Sequence, residues 1–267
     1  MKITALGVAF VLLAGPVAVL ADDLDDALEA LKQAQPSKDA AKIKELAASA
    51  HAVAQKYEGP APADADKESY AARARYAKDV DHYSEYALFT AASQGGGNAA
   101  DLIGTLEKQN PKSEYLEYPR SLMIMAENAR QKRQTDRAVT YANRMIAAAN
   151  AKPPQGAEAE WEATKSTALG MGYFIVGSNA CDHQQWSATD KNLRAALPLI
   201  KGNAGMAQPA LFCLGLANYN VAKLTLSKAK MLEAAEFSKQ AAAMAGPLQD
   251  QALKNSFNIK AEADKLR

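Results

Sequence analysis

The sequence predicts an all-α fold, an antiparallel helix-pair solenoid. Three observations predict it. First, Leu169-Gly170-Met171-Gly172-Tyr173-Phe174-Ile175-Val176 nearly recurs as Leu214-Gly215-Leu216-Ala217-Asn218-Tyr219-Asn220-Val221, at an offset of 45 residues. Second, apolar residues fall at i, i+3, i+4 and i+7 along almost the whole chain, with Ala, Leu and Met dominant. Runs of β-branched residues and strict alternation are missing, so helix is favoured over strand. Third, Pro111, Pro153, Gly202 and Pro247 recur at spacings of 42, 49 and 45 residues, as regular stops. A self-similar unit of this size with helical periodicity reads as stacked helix pairs.

The N-terminal residues 1–21 read as a secretory signal peptide. Lys2 supplies a positive start, Ile3 to Leu13 an apolar stretch, and Val19-Leu20-Ala21 small residues before a cut ahead of Asp22. The apolar stretch is barely long enough to span a bilayer and Pro16 interrupts it. Position 22 is Asp, so no lipid anchor on a cysteine is expected there. The expected location is therefore the periplasm or the exterior, with no stable membrane insertion after cleavage.

Residues 22–58 read as a helical hairpin. Leu24, Leu28 and Leu31 share a face, Pro36 stops the first helix, and Ser37 is the expected cap of the second. Ile43, Leu46, Ala50, Val53 and Tyr57 form the second stripe. Gly59-Pro60-Ala61-Pro62-Ala63 makes a stiff break. The repeat domain is expected over residues 66–267. Its pairs read as Lys67–Ser93 with Asn98–Gln109, Glu114–Gln131 with Asp136–Asn150, Ala157–Cys181 with Ala188–Ile200, and Gln208–Thr225 with Lys228–Ala245. A last helix, Gln249–Lys265, would cover the open end. Asn98, Thr135 and the Ser187/Asp190 pair are the expected caps.

Removing Lys2 with the leader leaves 30 basic against 30 acidic residues. That balance disfavours a nucleic-acid or anionic-membrane partner. The two cysteines, Cys181 and Cys213, lie 13 positions apart in repeat register. On parallel helices that is an axial offset of roughly 20 Å, against the 7 Å or so that a disulfide allows. The expectation is two buried, unpaired cysteines.

The chain resembles the tetratricopeptide repeat family over about residues 114–250. Leu169-Gly170 and Tyr173 match the family's first-helix pattern. Leu214-Gly215 matches too, with Asn218 in place of the aromatic and Tyr219 one position late. Ala234 and Ala241 match the second-helix spacing, Thr189 and Ala196 stand one unit earlier, and Met125-Ala126 with Ala138 keep the family's usual separation. Gly170 to Thr189 and Gly215 to Ala234 are each 19 residues, about two helical turns longer than the family norm. The resemblance implies a right-handed superhelix whose concave side binds other proteins. Without the family name, Gly170 and Gly215 still read as points where a neighbouring helix approaches closely.

Catalytic signatures are missing: no Gly-x-Ser-x-Gly, no His-Glu-x-x-His and no phosphate loop. Asp79, His82 and Glu85 share a helix face, and Cys181-Asp182-His183 cluster at a helix end. Both read as structural, so no enzyme activity, metal or cofactor is expected. The expected binding residues are Tyr173, Asn179, Asn218, Asn220 and Lys223, on the first helices of the last two pairs. Their amides suit an extended peptide backbone and Lys223 suits a carboxylate. The expected role is an exported scaffold or adaptor for another protein or peptide at the cell envelope. The alternative is a helical domain binding a glycan or small molecule, or a weak envelope hydrolase. A deep pocket lined by Trp161, Trp186 or Tyr173 with paired carboxylates would mark that alternative.

Overall fold

The computed structural model describes residues 23–153, 156 and 158–266. The expected leader and the expected helix start at Ala157 lie outside the described residues. Among the described residues there are eleven α-helices and no strand. They are α1 (Asp23–Ala34), α2 (Ala40–Gln55), α3 (Lys67–Ser93), α4 (Ala99–Gln109), α5 (Pro119–Gln131) and α6 (Thr135–Asn150). Then follow α7 (Glu158–Asp182), α8 (Trp186–Ile200), α9 (Ala204–Thr225), α10 (Lys228–Ala242) and α11 (Gln249–Lys265). The fold class is all-α, as the periodicity predicts.

The helices divide into two compact units. The first holds α1 to α4; the second runs from Glu117 to Pro153 and from Ala159 onward. The expected boundary near residues 58–66 therefore shifts. The physical reason is packing: α2 lies on α3, α1 also touches α3, and α2 touches α4. Leu24, Leu31, Ile43, Val80, Leu88, Leu102 and Leu106 form that unit's buried interior. Asp39, not Ser37, caps α2, its carboxylate accepting from the Ala41 and Lys42 backbone N–H groups. Ser37 instead lies in a short 3-10 turn.

The second unit is a run of antiparallel helices. A β-carbon on Gly170 would sit 3.0 Å from Leu199, and one on Gly177 2.6 Å from Leu193, so α8 descends as α7 ascends. Gly172 meets Ile146 of α6, and Gly215 meets Ser238 and the Ala234 carbonyl of α10. Direct packing also joins α5 to α6, α8 to α9, α9 to α10 and α10 to α11. The helices thus follow one another in chain order, each on its predecessor. Small residues make this possible: Ala126, Ala138, Ala168, Ala196, Ala217 and Ala234 are buried at the contacts.

Three local features differ from expectation. The helix expected from Glu114 begins at Pro119, because proline suits the first helical position and a 3-10 turn, Glu114–Glu117, precedes it. Helix α9 starts at Ala204 and runs through Pro209. Pro209 sits in the second turn, where the lost N–H removes a single ladder bond. Neither Asn98, Thr135 nor Ser187 makes a side-chain cap; Ser227 does, accepting from the Lys230 N–H.

Cys181 and Cys213 are joined by a disulfide, with Cα atoms 6.0 Å apart. The expectation of unpaired thiols fails because repeat register is not spatial register. The C-terminal end of α7 meets the middle of α9, so the 13-position offset is absorbed by stagger.

Candidate functional site

The second unit carries a groove of about 680 Å³ lined by α5, α6, α7 and α9. Helix α5 contributes Glu127 and Arg130, the α5–α6 turn contributes Arg133, and α7 contributes Phe174, Ser178 and Asn179. Three helix pairs therefore supply the walls. Consecutive first helices meet here: the Arg130 guanidinium lies 5.8 Å from the Phe174 ring centre, joining α5 to α7.

Polar groups in the groove are partly occupied. Glu127 accepts from Arg130 Nη1 at 2.8 Å and from Gln131 Nε2 at 3.3 Å. The Asn179 carbonyl accepts from His183 N–H at 3.1 Å and bonds His183 Nδ1 at 2.8 Å. The Asn179 side-chain amide makes no hydrogen bond among the described residues. An amide offers a donor and an acceptor together, which matches the repeating N–H and C=O of an extended peptide. Arg133 sits on a left-handed backbone, φ 56°, and its exposed guanidinium projects from the turn beside this groove.

The expected binding residues do not come together. Asn179 lines the groove. Tyr173 is half-buried and lies outside its lining. Asn218 is buried, so its place as a ligand-binding residue is corrected. Its Nδ2 donates to Asp190 Oδ1 at 2.6 Å and to the Leu214 carbonyl at 3.0 Å, and its Oδ1 accepts from Arg194 Nη2 at 3.2 Å. Asn220 returns its amide to the Leu216 carbonyl of its own helix at 2.8 Å. Lys223 is exposed, with its ammonium 5.3 Å from the Tyr219 ring centre. Arg130, Arg133, Phe174 and Ser178 are the residues that sequence reasoning misses. Helix α7 is apolar on nearly every side, so its apolar pattern does not fix its rotation. Tyr173 and Phe174 differ by about 100° around the helix, and the wrong one is easily chosen.

A second cavity, about 560 Å³, lies between α8 and α10 over α9. Leu197, Leu211, Phe237 and Met244 give it an apolar floor, with Arg194 and Lys201 at the rim. Arg194 Nη2 is held by Glu233 Oε1 at 2.8 Å and its Nε by Asp190 Oδ1 at 2.8 Å. Burial alone would lower the Arg194 pKa, but these two carboxylates outweigh it and raise it.

The first unit holds a polar cluster around Asp81, not Asp79. His51 Nδ1 lies 2.7 Å from Asp81 Oδ1, and Asn110 Nδ2 donates to Glu85 Oε1 at 2.8 Å and to Asp81 Oδ2 at 3.2 Å. Burial raises the Glu85 pKa; the neighbouring Ser113 hydroxyl pulls it back, and the Asp81 charge pushes it further up. His82 stacks on Tyr115 at 5.4 Å. Among the described residues, no group of three or more His, Cys, Asp or Glu side chains is placed to hold a metal ion. The Cys181-Asp182-His183 cluster holds no thiol, because Cys181 is in the disulfide. Trp161 is buried against Tyr118, ring centres 5.4 Å apart, and is no exposed anchor.

No protein-family model matches the chain, and no curated protein matches it. Among solved structures, a chain from the computational design of self-assembling cyclic protein homooligomers aligns with 91% of this chain and 92% of its own length. The identity is 15% and the TM-score 0.27. A likeness that low carries no argument about this chain.

Proposed function

We propose that the chain is an exported helical-repeat scaffold, of the tetratricopeptide type, that binds an extended peptide segment of a partner protein at the cell envelope. The observation that carries this reading is the α5–α6–α7–α9 groove, walled by successive helix pairs and lined by Arg130, Arg133 and Asn179, whose amide makes no hydrogen bond among the described residues. The Asn179 amide meets the peptide backbone, and the arginines suit an acidic side chain or carboxylate. The Cys181–Cys213 disulfide supports export, because such bonds persist in oxidising compartments.

Selection from a displayed peptide library tests the reading. Wild-type protein should enrich peptides of a common pattern, and Asn179→Ala with Arg133→Ala should weaken the best of them by roughly tenfold or more. Equal enrichment by that double variant would defeat the proposal.

The second cavity favours the small-molecule alternative on one specific ground. An apolar floor with Lys201 at its rim suits a small amphiphilic carboxylate. Saturable binding of such a compound, lost in Phe237→Ala and unaffected by Asn179→Ala, would shift the assignment to that cavity.

A further inference from the structure

Three turns of the second unit share one construction. Between α5 and α6, α7 and α8, and α9 and α10, a non-glycine residue occupies the left-handed region: Arg133 (φ 56°), Gln184 (φ 57°) and Leu226 (φ 50°). Each is followed by the same reversed hydrogen bond: Gln134 N–H to Ala129 C=O, Gln185 N–H to Ala180 C=O, and Ser227 N–H to Ala222 C=O. The three turns therefore align residue by residue. Leu226 stands where Arg133 and Gln184 stand, and Leu224 where Gln131 and Asp182 stand. Polar residues at the two sibling turns give way to two leucines that are 83% (Leu224) and 74% (Leu226) exposed.

The surroundings are basic. No acidic residue occurs between Asp190 and Glu233, while Lys223, Lys228 and Lys230 flank the leucines. Lys228 and Lys230 occupy the first turn of α10, the helix end that favours acidic groups. Glu233 is paired with Arg194 at 2.8 Å and Asp264 with Lys260 at 2.9 Å, and Glu262 accepts from the Tyr219 hydroxyl at 2.8 Å. Lys228 Nζ donates to the Leu266 carbonyl at 2.7 Å, which keeps it beside the turn. Two bare apolar side chains and lysines at a helix N-terminus are each locally unfavourable. Their coincidence at one turn of three points outward, to something the turn meets.

We propose that the α9–α10 turn is a peripheral membrane-docking tip. Leu224 and Leu226 enter the boundary between headgroups and acyl chains of an anionic bilayer, and Lys223, Lys228 and Lys230 pair with lipid phosphates. A lipid surface fits better than a protein partner. Stable protein interfaces bury about 800 Å² per side, whereas two leucines with a basic collar suffice for reversible interfacial binding. No described helix is long and apolar enough to cross a membrane, so the contact is peripheral. Overall charge neutrality does not oppose it, because the lysines are local and the screening length is about 8 Å.

Co-flotation of the full chain with vesicles tests the proposal. Phosphatidylglycerol-containing vesicles should carry the protein at low salt, and pure phosphatidylcholine vesicles should carry roughly tenfold less. Raising ionic strength to about 1 M, where the screening length is about 3 Å, should release most of it. The pair Leu224→Gln with Leu226→Gln restores the polarity of the sibling turns. It should keep the melting temperature and lose roughly tenfold or more of the vesicle binding. Two results would overturn the proposal: binding by that pair equal to wild type, or no vesicle binding accompanied by leucine-dependent self-association in sedimentation.

Discussion

Cys181 at the end of α7 is bonded to Cys213 in the middle of α9, so the first helices of two consecutive pairs are covalently tied. The bond closes a loop with a sequence separation of 32, and that loop contains all of α8. Loop-closure entropy for such a length is worth about 3–4 kcal/mol. Chemical denaturation of Cys181→Ala with Cys213→Ala should show a stability loss of that order, and reductant should lower the wild-type midpoint while leaving the variant unchanged.

The glycines of the helix contacts are not interchangeable with alanine. A β-carbon on Gly177 would lie 2.6 Å from Leu193 Cγ and 3.1 Å from the Leu193 backbone nitrogen. Gly177→Ala should destabilise by about 1–3 kcal/mol despite alanine's better helix propensity. Gly104, inside α4, has nothing within 4 Å of such a carbon. Gly104→Ala should stabilise by about 0.5–1 kcal/mol. Opposite signs in thermal melts are the expected result.

Asn218 joins three helices through Asp190 and Arg194 of α8, with Glu233 of α10 bonded to the same guanidinium. It is buried, so removing its amide leaves a small cavity and takes one hydrogen bond each from Asp190 and Arg194. Asn218→Ala should lower stability by about 1–3 kcal/mol. Peptide affinity at the α5–α7 groove, measured by titration at a temperature where the variant is folded, should not change.

Glu85 gives the first unit a pH dependence of defined sign. Burial raises its folded pKa above the ordinary 4.5, so the folded state holds the proton more tightly than the unfolded chain. This contribution favours folding at acid pH and is lost as pH rises from the unfolded value through the folded one. Glu85→Gln removes the half-buried charge and leaves an oxygen for Asn110 Nδ2. The variant should be more stable than wild type at neutral pH, and the gap should close at pH below 4.5, read by denaturant melts across that range.

Much of this fold can be read along the chain, and the reasons are local. Pro111, Pro153, Gly202 and Pro247 each follow α4, α6, α8 and α10 as the spacing predicts, because each stop acts on its own helix. Gly170 and Gly215 are close-approach points as expected, and Gly172 and Gly177 join them. What is not legible depends on how helices lie against each other. The stagger that brings Cys181 to Cys213 leaves no trace in repeat register. Phe174 and Arg130 meet across 44 positions only because α7 is rotated to present that face. Asn218 looks like a surface amide on a family pattern, but burial turns it inward against Asp190. The site residues are therefore the least readable part of the chain.

Proximity labelling tests most directly whether the groove between α5 and α7 receives an extended peptide, as proposed. A photo-crosslinking side chain at position 178 would face that groove, and one at position 199 would sit on the exposed Leu199 of α8. One discrete crosslinked partner is expected from position 178, none from position 199, and loss of the product when Asn179→Ala is added. Equal products from both positions, or a product indifferent to Asn179, would contradict the proposal.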